Sequence, residues 1–347
     1  MPIAPRPLPP DLADAFTCRA ALAAGATPRR LRARDLETPF RGVRLRPPSS
    51  AEIEDAGPLA LDRAVRADVL RRAGAYALLM PPAAFFVGAT AGVILGLGVP
   101  HGFELCVGVP PPHRAPRRTG IHGVKLAPSQ ARIIERDGLR LTDSASTWAT
   151  LAGRLGERDL VRVGDAAVRV PRDDRGRHRT EADLATIDDL RAAALVPGRR
   201  HRAALLRALD RVRVGSMSPL ETDFRLDAED AGLPEPELDV EIRTESGRLL
   251  GISDLVYPGY RTVVEVEGDH HRTTRQQWNR DIEKYAAYAA QGWEVVRLTS
   301  THIRGWQPQA VALVRGALLR RGWRPPAQAT PDRGRSAPHP DAGGGTN

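Results

Sequence analysis

The C-terminal third of the chain constrains the fold most, because strand-like and helical runs follow one another there in a readable order. Three runs rich in β-forming residues, "LDVEIRT", "RLLGISDLVYP" and "YRTVVEVEG", are separated by the turn residues "ESGR" and "PGY". A helical run over 274–291, the strand "WEVVRLT" and a helical run over 307–321 follow. A helix with Ser218 as N-cap and Pro219 at its first position precedes them. The order αβββαβα predicts an α/β sandwich with a mixed sheet over 216–323.

Three carboxylates stand on the second and third of these strands, at positions where Val or Ile is usual. Glu265 and Glu267 project from one face because they are two residues apart, and a tight turn brings Asp254 near them. Buried like charges resist ionisation, so the group favours a bound cation. Asp254, Glu265 and the carbonyl of Val266 would offer the hard oxygen ligands that suit Mg²⁺ or Mn²⁺. A metal there would activate water against a phosphodiester. A zinc site on the neighbouring histidines is an alternative that this oxygen-rich set disfavours.

The same residues resemble a known nuclease superfamily. The D-x10-E-x-E spacing within αβββαβ order resembles the PD-(D/E)XK nucleases, and "VVEVEGDHHR…RDIEKYAAYAAQGWEVVRLT" resembles domains related to very short patch repair endonucleases. The pattern of that family, E-x-(D/E)-G-x-x-H, D-x-x-(R/K) and G-W-x-V-x-R, is met by Glu265, Glu267, Gly268, His271, Asp281, Lys284 and 292–297. The resemblance implies a restriction-endonuclease-like fold and a metal-dependent DNA endonuclease, with Asp254 and Glu265 as metal ligands.

One position departs from the superfamily, because its usual lysine is replaced here by Glu267. An acid there could position the attacking water or bind a second metal. Alternatively, Lys284 supplies the positive charge from the helix over 274–291. We expect this helix to pack across the acidic hairpin, the two strands that carry Asp254, Glu265 and Glu267. A salt bridge from Lys284 to Asp281 or Glu283 is the structural alternative.

Two further residues are candidates for catalysis. The resemblance implies that His271 protonates the leaving group or contacts the scissile phosphate; an exposed loop histidine is the alternative. Glu221 matches an acid that stands on the first helix beside such metals. Its three-residue spacing from Ser218 is also that of a capping box, so both interpretations stay open.

Residues 1–50 predict a DNA-binding region. "DAFTCRAALAAG" forms a helix, and a second helix begins with Thr27 as N-cap and Pro28 at its first position. A strand, "FRGVRLRP", follows. This order is typical of a winged helix-turn-helix, whose second helix enters the major groove. Its DNA-binding candidates are Arg29, Arg30, Arg32 and Arg34. A solvated arginine face on an ordinary helical hairpin is the alternative.

The N-terminal half also resembles a family, the abortive-infection type IV antitoxin-like proteins, of a type found in actinobacteria. The resemblance rests on residues 15–45 and on the glycine-rich segment at 90–100. It implies an alternative function, an antitoxin-like DNA-binding transcriptional regulator with a catalytically inactive nuclease fold. A toxin partner or a homodimer would then be expected.

Residues 51–215 predict a mixed middle region without chemistry that the sequence identifies. Helical patterns cover 55–105 and 143–210 apart from a polar loop at 171–183, and 104–142 is β-rich. The uncharged stretch 84–100 carries glycine at every fourth position, and we expect a buried core helix rather than a membrane span. Residues 324–347 predict a disordered tail.

The charge and the cysteine content limit which partners and which cellular compartment we expect for this protein. The net charge is +9 and the pI about 10.4, which suits DNA as a polyanionic partner. Only Lys125 and Lys284 among 51 basic residues are lysine, a bias typical of GC-rich codon usage. Cys18 and Cys106 form neither a metal spacing nor a disulfide framework, and the N-terminus carries no signal-peptide pattern. We therefore expect a cytoplasmic protein without membrane contact.

Overall fold

The structure is a computed structural model that describes residues 6–48, 60–173, 176–179, 185–267 and 275–325. These residues form an α+β fold with three β-sheets. The strands are β1 Ala15–Thr17, β2 Val43–Leu45, β3 Phe85–Phe86, β4 Leu105–Val109, β5 Arg117–Arg118, β6 Ile121–Lys125, β7 Ile133–Arg136, β8 Leu139–Thr142, β9 Glu237–Arg243, β10 Leu249–Tyr257, β11 Thr262–Glu267 and β12 Glu294–Thr299. The helices are α1 Cys18–Ala23, α2 Ala60–Ala77, α3 Gly88–Leu95, α4 Ser144–Leu151, α5 Glu157–Val168, α6 Ile187–Leu195, α7 Arg202–Arg211, α8 Pro219–Asp230, α9 Arg275–Ala290, α10 Ser300–Arg304 and α11 Ala310–Arg320.

The C-terminal sheet has the order β12-β11-β10-β9, in which β9, β10 and β11 are antiparallel and β12 runs parallel to β11. The parallel pair requires a crossover, and α9 provides it. The mixed sheet and the predicted order of elements are therefore confirmed. The short helix α10 between β12 and α11 was not predicted.

Helices cover both faces of this sheet, because β11 is apolar on each side. Val264 and Leu255 pack with Phe224 of α8 and Val314 of α11 on one face. On the opposite face, Val263 packs with Tyr288 of α9. Full burial of such aliphatic side chains stabilises the fold by about 1.5–3 kcal/mol each. The acidic residues of β10 and β11 therefore stand in a strongly apolar layer.

The middle region contains a six-stranded sheet of order β5-β6-β4-β3-β8-β7, packed against helices. The β-rich prediction for 104–142 is confirmed, because β4 to β8 all lie within it. The helical pattern over 143–170 is confirmed as two helices, α4 and α5. Trp148 of α4 is fully buried, and its indole N–H donates to the carbonyl of Leu160 at 2.9 Å.

The uncharged stretch 84–100 is buried, as predicted, but it forms a strand and a helix rather than one helix. Phe85 and Phe86 form β3, and α3 begins at Gly88. Gly92 allows a close approach, since a Cβ there would lie 2.5 Å from Cγ2 of Val99. Within the described ranges, no helix is both long and apolar enough to cross a membrane.

The N-terminal prediction of two helices is wrong in its second helix. Residues Arg30–Arg32 form a single 3₁₀ turn, and β1 precedes α1 and pairs antiparallel with β2. A short segment with few apolar positions does not sustain a helix, and other contacts prevail. The guanidinium of Arg44 donates to the carbonyl of Leu31 at 2.6 Å. The basic recognition helix on which the winged-helix prediction depends is therefore not formed.

Two other predicted segments are described only in part. In the polar loop at 171–183, Arg172 and His178 form an isolated antiparallel bridge. Of the predicted tail, residues 326–347 lie outside the described residues, and Trp323 just before them is buried.

Candidate active site

The first turn of α8 places Glu221 below the C-terminal sheet. The backbone N–H of Glu221 donates to Oγ of Ser218 at 3.2 Å, which confirms Ser218 as the N-cap. The Glu221 carboxylate accepts from the backbone N–H of Met217 at 2.7 Å. Burial, and then the charge of Asp254, raise the pKa of Glu221 to about 8. The N-cap half of the predicted capping box is therefore formed, but the Glu221 carboxylate binds the N–H of Met217 rather than that of Ser218, so the reciprocal half is not. Glu221 also lies close enough to Asp254 for the charge of Asp254 to raise its pKa.

Asp254 and Glu265 stand on the neighbouring strands β10 and β11. Oδ2 of Asp254 accepts from the backbone N–H of Val266 at 2.7 Å, which fixes the carboxylate beside β11. Burial raises the pKa of Asp254. Glu265 is 6% exposed, and burial raises its pKa to about 7, against the opposing effect of Lys284. The negative charge of Asp254 adds to that increase. The three acids therefore share one electrostatic environment, as the sequence predicted for Asp254 and Glu265.

Lys284 reaches this environment from α9. Its ammonium group donates to the carbonyl of Ile252 at 2.6 Å and lies 2.9 Å from Oε1 of Glu265. The rings of Tyr285 and Tyr288 flank it at 5.7 and 5.6 Å. The ion pair of Lys284 is therefore with the acidic hairpin rather than with its helical neighbours Asp281 or Glu283.

Gly251 makes room for this lysine. A Cβ at Gly251 would lie 2.6 Å from the hydroxyl oxygen of Tyr288 and 3.0 Å from Cε of Lys284. Real Cβ atoms do not approach so closely without a displacement of their neighbours. The Tyr288 hydroxyl also accepts from Oγ of Ser253 at 3.1 Å. The absence of a side chain at Gly251 therefore leaves the space that Lys284 and Tyr288 occupy.

Glu267, the acid at the usual lysine position, is engaged elsewhere. It forms an ion pair with Arg297 of β12, whose guanidinium lies 5.1 Å from the centre of the Tyr285 ring. The catalytic role of Glu267 stays a prediction. His271 and its neighbour His270 lie outside the described residues, and so does the prediction for His271.

Sequence reasoning missed a fourth acid, Asp239 of β9. Its charge contributes to the raised pKa values of both Glu221 and Asp254. Nε of Arg172 lies 2.8 Å from each carboxylate oxygen of Asp239, so the charge of Asp239 is paired. Asp239 also has a left-handed backbone with φ +54°. In "LDVEI" apolar residues alternate with acids, and this strand pattern could have indicated Asp239. Nothing in the sequence indicates that Arg172 approaches it.

Asp254 and Glu265 offer carboxylate oxygens, the type of ligand that hard divalent cations prefer. Oε1 of Glu265 is buried, and its charge is met by the ammonium of Lys284 at 2.9 Å. In the parts of the chain that the structure describes, no three Asp, Glu, His or Cys side chains lie close enough together to hold a metal ion. A metal would therefore take two carboxylates, those of Asp254 and Glu265, together with the carbonyl of Val266 and water.

The four N-terminal arginines differ in their environment. The guanidinium of Arg30 donates to both carboxylate oxygens of Asp35, at 2.9 and 2.6 Å, and it is mostly buried. Arg29, Arg32 and Arg34 are exposed, although Nε of Arg32 donates to the carbonyl of Pro28 at 3.2 Å. The guanidinium groups of these three arginines are accessible to a polyanion such as DNA.

Comparison with protein-family models gives no match to this chain, and comparison with curated proteins gives none either. The function must therefore be argued from the site.

Proposed function

We propose that the protein is a metal-dependent DNA endonuclease that hydrolyses phosphodiester bonds. The observation that carries the proposal is a group of three acids, the buried Glu221 and Glu265 and the partly buried Asp254, with the ammonium of Lys284 2.9 Å from Glu265. Burial of ionised acids in an apolar layer costs several kcal/mol unless counter-ions or hydrogen bonds offset it, so a fold that keeps these acids together favours a functional role for them. Perturbed carboxylates beside a lysine are typical of functional sites.

The arrangement supports a restriction-endonuclease-like sandwich of the PD-(D/E)XK type. A mixed four-stranded sheet lies between helices, and the acids stand on its two central strands, β10 and β11. The lysine expected two residues after Glu265 is replaced in function by Lys284, which approaches the same carboxylate from α9.

Each residue then has a role in the proposed reaction. Asp254, Glu265 and the carbonyl of Val266 hold Mg²⁺ or Mn²⁺, which when bound activates water and offsets charge at the phosphate. Lys284 holds Glu265 in place and offsets negative charge that develops on the phosphate. Glu267 or His271 transfers the proton during hydrolysis of the phosphodiester bond. Glu221, whose pKa of about 8 keeps much of it protonated near neutral pH, adds a carboxyl group beside Asp254.

A second candidate is the antitoxin-like DNA-binding regulator with an inactive nuclease fold. Two ion pairs favour it, because Lys284 already neutralises Glu265 and Arg297 already neutralises Glu267. Such pairs could stabilise the sheet without a metal. DNA is the partner in both proposals, and a toxin partner or a homodimer belongs to the second.

Nicking of supercoiled plasmid DNA in Mg²⁺ or Mn²⁺ tests the proposal. The wild type is compared with Asp254→Asn and Glu265→Gln, and with Glu245→Gln as a matched control in the exposed β9–β10 turn. The endonuclease proposal predicts metal-dependent nicking by the wild type and the control and a loss of at least about a hundredfold in the two site variants. A wild type that binds DNA without cutting it in either metal would favour the regulator.

A further inference from the structure

The middle region contains an open cavity of about 550 Å³ that is unrelated to the acidic hairpin. Strands β4 and β6, helix α4 and the turn before α7 contribute to its walls. The residues that line it include no Asp or Glu. The basic residues among them are His122, Lys125, Arg154, Arg199, Arg200 and His201. Positive charge and imidazole groups thus converge on one cavity.

Most of this charge has no carboxylate partner. Lys125, Arg154 and Arg200 form no ion pair with any described residue. Arg199 has a structural role, because its guanidinium donates to the carbonyls of Ala193 at 2.9 Å and Gln130 at 2.8 Å. Because no Asp or Glu lines the cavity, its positive charge is not neutralised by a lining carboxylate. It produces a positive potential that attracts anions.

The backbone at the mouth of the cavity is held in a costly conformation. His201, the N-cap of α7, has a left-handed backbone with φ +56° and makes no side-chain cap bond. A left-handed non-glycine residue costs about 1–2 kcal/mol. Gly153 leaves space for the imidazole, since a Cβ there would lie 2.9 Å from Nε2 of His201. The fold therefore directs this imidazole to the cavity at the expense of helix capping.

The remaining walls could accommodate the uncharged body of a ligand. Val87, Val124 and Leu126 are apolar, and Thr150 and Gln130 provide hydrogen-bonding groups. A cavity of this size lies in the range of small-molecule sites, which are about 300–1,000 Å³. Lys125 is one of only two lysines in the chain, and the other, Lys284, stands in the acidic site.

We propose that this cavity binds a small phosphate-bearing ligand of nucleotide size. The phosphate group contacts Lys125, Arg200 and the imidazole of His201, and the uncharged part of the ligand lies against Val87 and Val124. Charge-assisted contacts from several donors are the usual means of holding phosphate. The site is independent of the proposed nuclease centre, since none of its residues belongs to the C-terminal sheet.

Calorimetric titration of the full chain tests the site in EDTA, which removes any metal-mediated binding at the hairpin. The probes are ATP, pyrophosphate and uncharged adenosine. Wild type is compared with Lys125→Gln/Arg200→Gln and with Arg248→Gln, a matched loss of charge in the exposed β9–β10 turn. Lys125→Arg retains the charge and serves as a second variant. Thermal unfolding establishes that each variant is folded.

The proposal predicts that ATP binds the wild type and Arg248→Gln equally, and that the double variant binds at least about tenfold more weakly. Lys125→Arg retains most of the affinity, and adenosine alone binds weakly. No binding of ATP or pyrophosphate by the wild type, or equal binding by the folded double variant, would overturn the proposal. It would also be overturned if the double variant lost affinity for duplex DNA while ATP failed to bind, because the cavity would then serve the nucleic-acid backbone.

Discussion

Lys284 and Glu265 meet across two elements, with Nζ on α9 lying 2.9 Å from Oε1 on β11. Glu267, at the position where the proposed class of nuclease carries lysine, is bound by Arg297. A positive charge is thus present at the acidic centre although the strand does not supply it. The proposed catalytic arrangement depends on this replacement.

The Lys284–Glu265 pair should be coupled energetically. Removal of Lys284 alone leaves a buried carboxylate without its cation, so we expect Lys284→Gln to lower the free energy of unfolding by about 1–3 kcal/mol at pH 8. Glu265→Gln should relieve most of that loss in the double variant. Urea unfolding of the wild type, both single variants and the double variant measures the coupling. Additive effects of the two substitutions would contradict the pairing.

Gly251 should be required for the position of Lys284. In Gly251→Ala the new Cβ would displace Tyr288 and Lys284, so we expect a loss of about 1–3 kcal/mol in stability and a fall in nicking rate. Gly259→Ala is the matched control, because a Cβ there has no atom within 4 Å and the backbone is unstrained. Its stability should stay within about 0.5 kcal/mol of the wild type. Equal behaviour of the two variants would show that Gly251 does not constrain the site.

The stability of the metal-free protein should fall as the pH rises from about 4.5 to about 8. In that window the unfolded chain releases the Glu221 proton at its ordinary pKa of 4.5, whereas the folded protein retains it up to about 8. The folded state therefore binds more protons, and the free energy of unfolding decreases with pH. Glu265, with a pKa of about 7, acts in the same direction.

Glu221→Gln removes the titrating group, so the stability curve of this variant should be flatter by an amount on the order of several kcal/mol. Glu245→Gln, in the exposed turn, should follow the wild-type curve. Urea unfolding between pH 4.5 and 8.5 in EDTA gives the three curves. A Glu221→Gln curve parallel to the wild type would rule out a raised pKa at this residue.

The exposed N-terminal arginines should contribute to DNA binding through phosphate contacts alone. We expect Arg29→Gln/Arg34→Gln to weaken binding at low salt and to reduce the slope of log K against log salt by about 2. Arg30→Gln should change DNA affinity little, because its guanidinium is bound to Asp35. Fluorescence anisotropy of a labelled duplex at several salt concentrations separates these outcomes. Unchanged slopes in the double variant would remove this segment from the DNA interface.

The sequence was most informative where the periodicity of a segment and its burial agree. Strands β10 and β11 and helix α9 follow from apolar runs, turn residues and a helical stripe, so Asp254 and Glu265 could be placed together in advance. Local propensity failed at residues 27–38, since the Arg44 contact to Leu31 and the Arg30–Asp35 pair replace a helix with one 3₁₀ turn. Such contacts depend on tertiary structure.

The same limit applies within the site. The approach of Arg172 to Asp239 joins residues far apart in the chain, and the sequence contains no pattern that relates them. The packing of α9 suggested where Lys284 lies, but its pairing with Glu265 and its close approach to Gly251 depend on the tertiary structure.

The central claim is that Asp254 and Glu265 form a cation site, and the binding of Mn²⁺ tests it most directly. Electron paramagnetic resonance of free Mn²⁺, titrated with the full chain, gives stoichiometry and affinity for the wild type, Asp254→Asn and Glu245→Gln. We predict one or two bound Mn²⁺ per chain in the wild type and the control, and loss of that binding in Asp254→Asn. A wild type that binds no Mn²⁺, or an Asp254→Asn variant that binds it equally well, would contradict the claim.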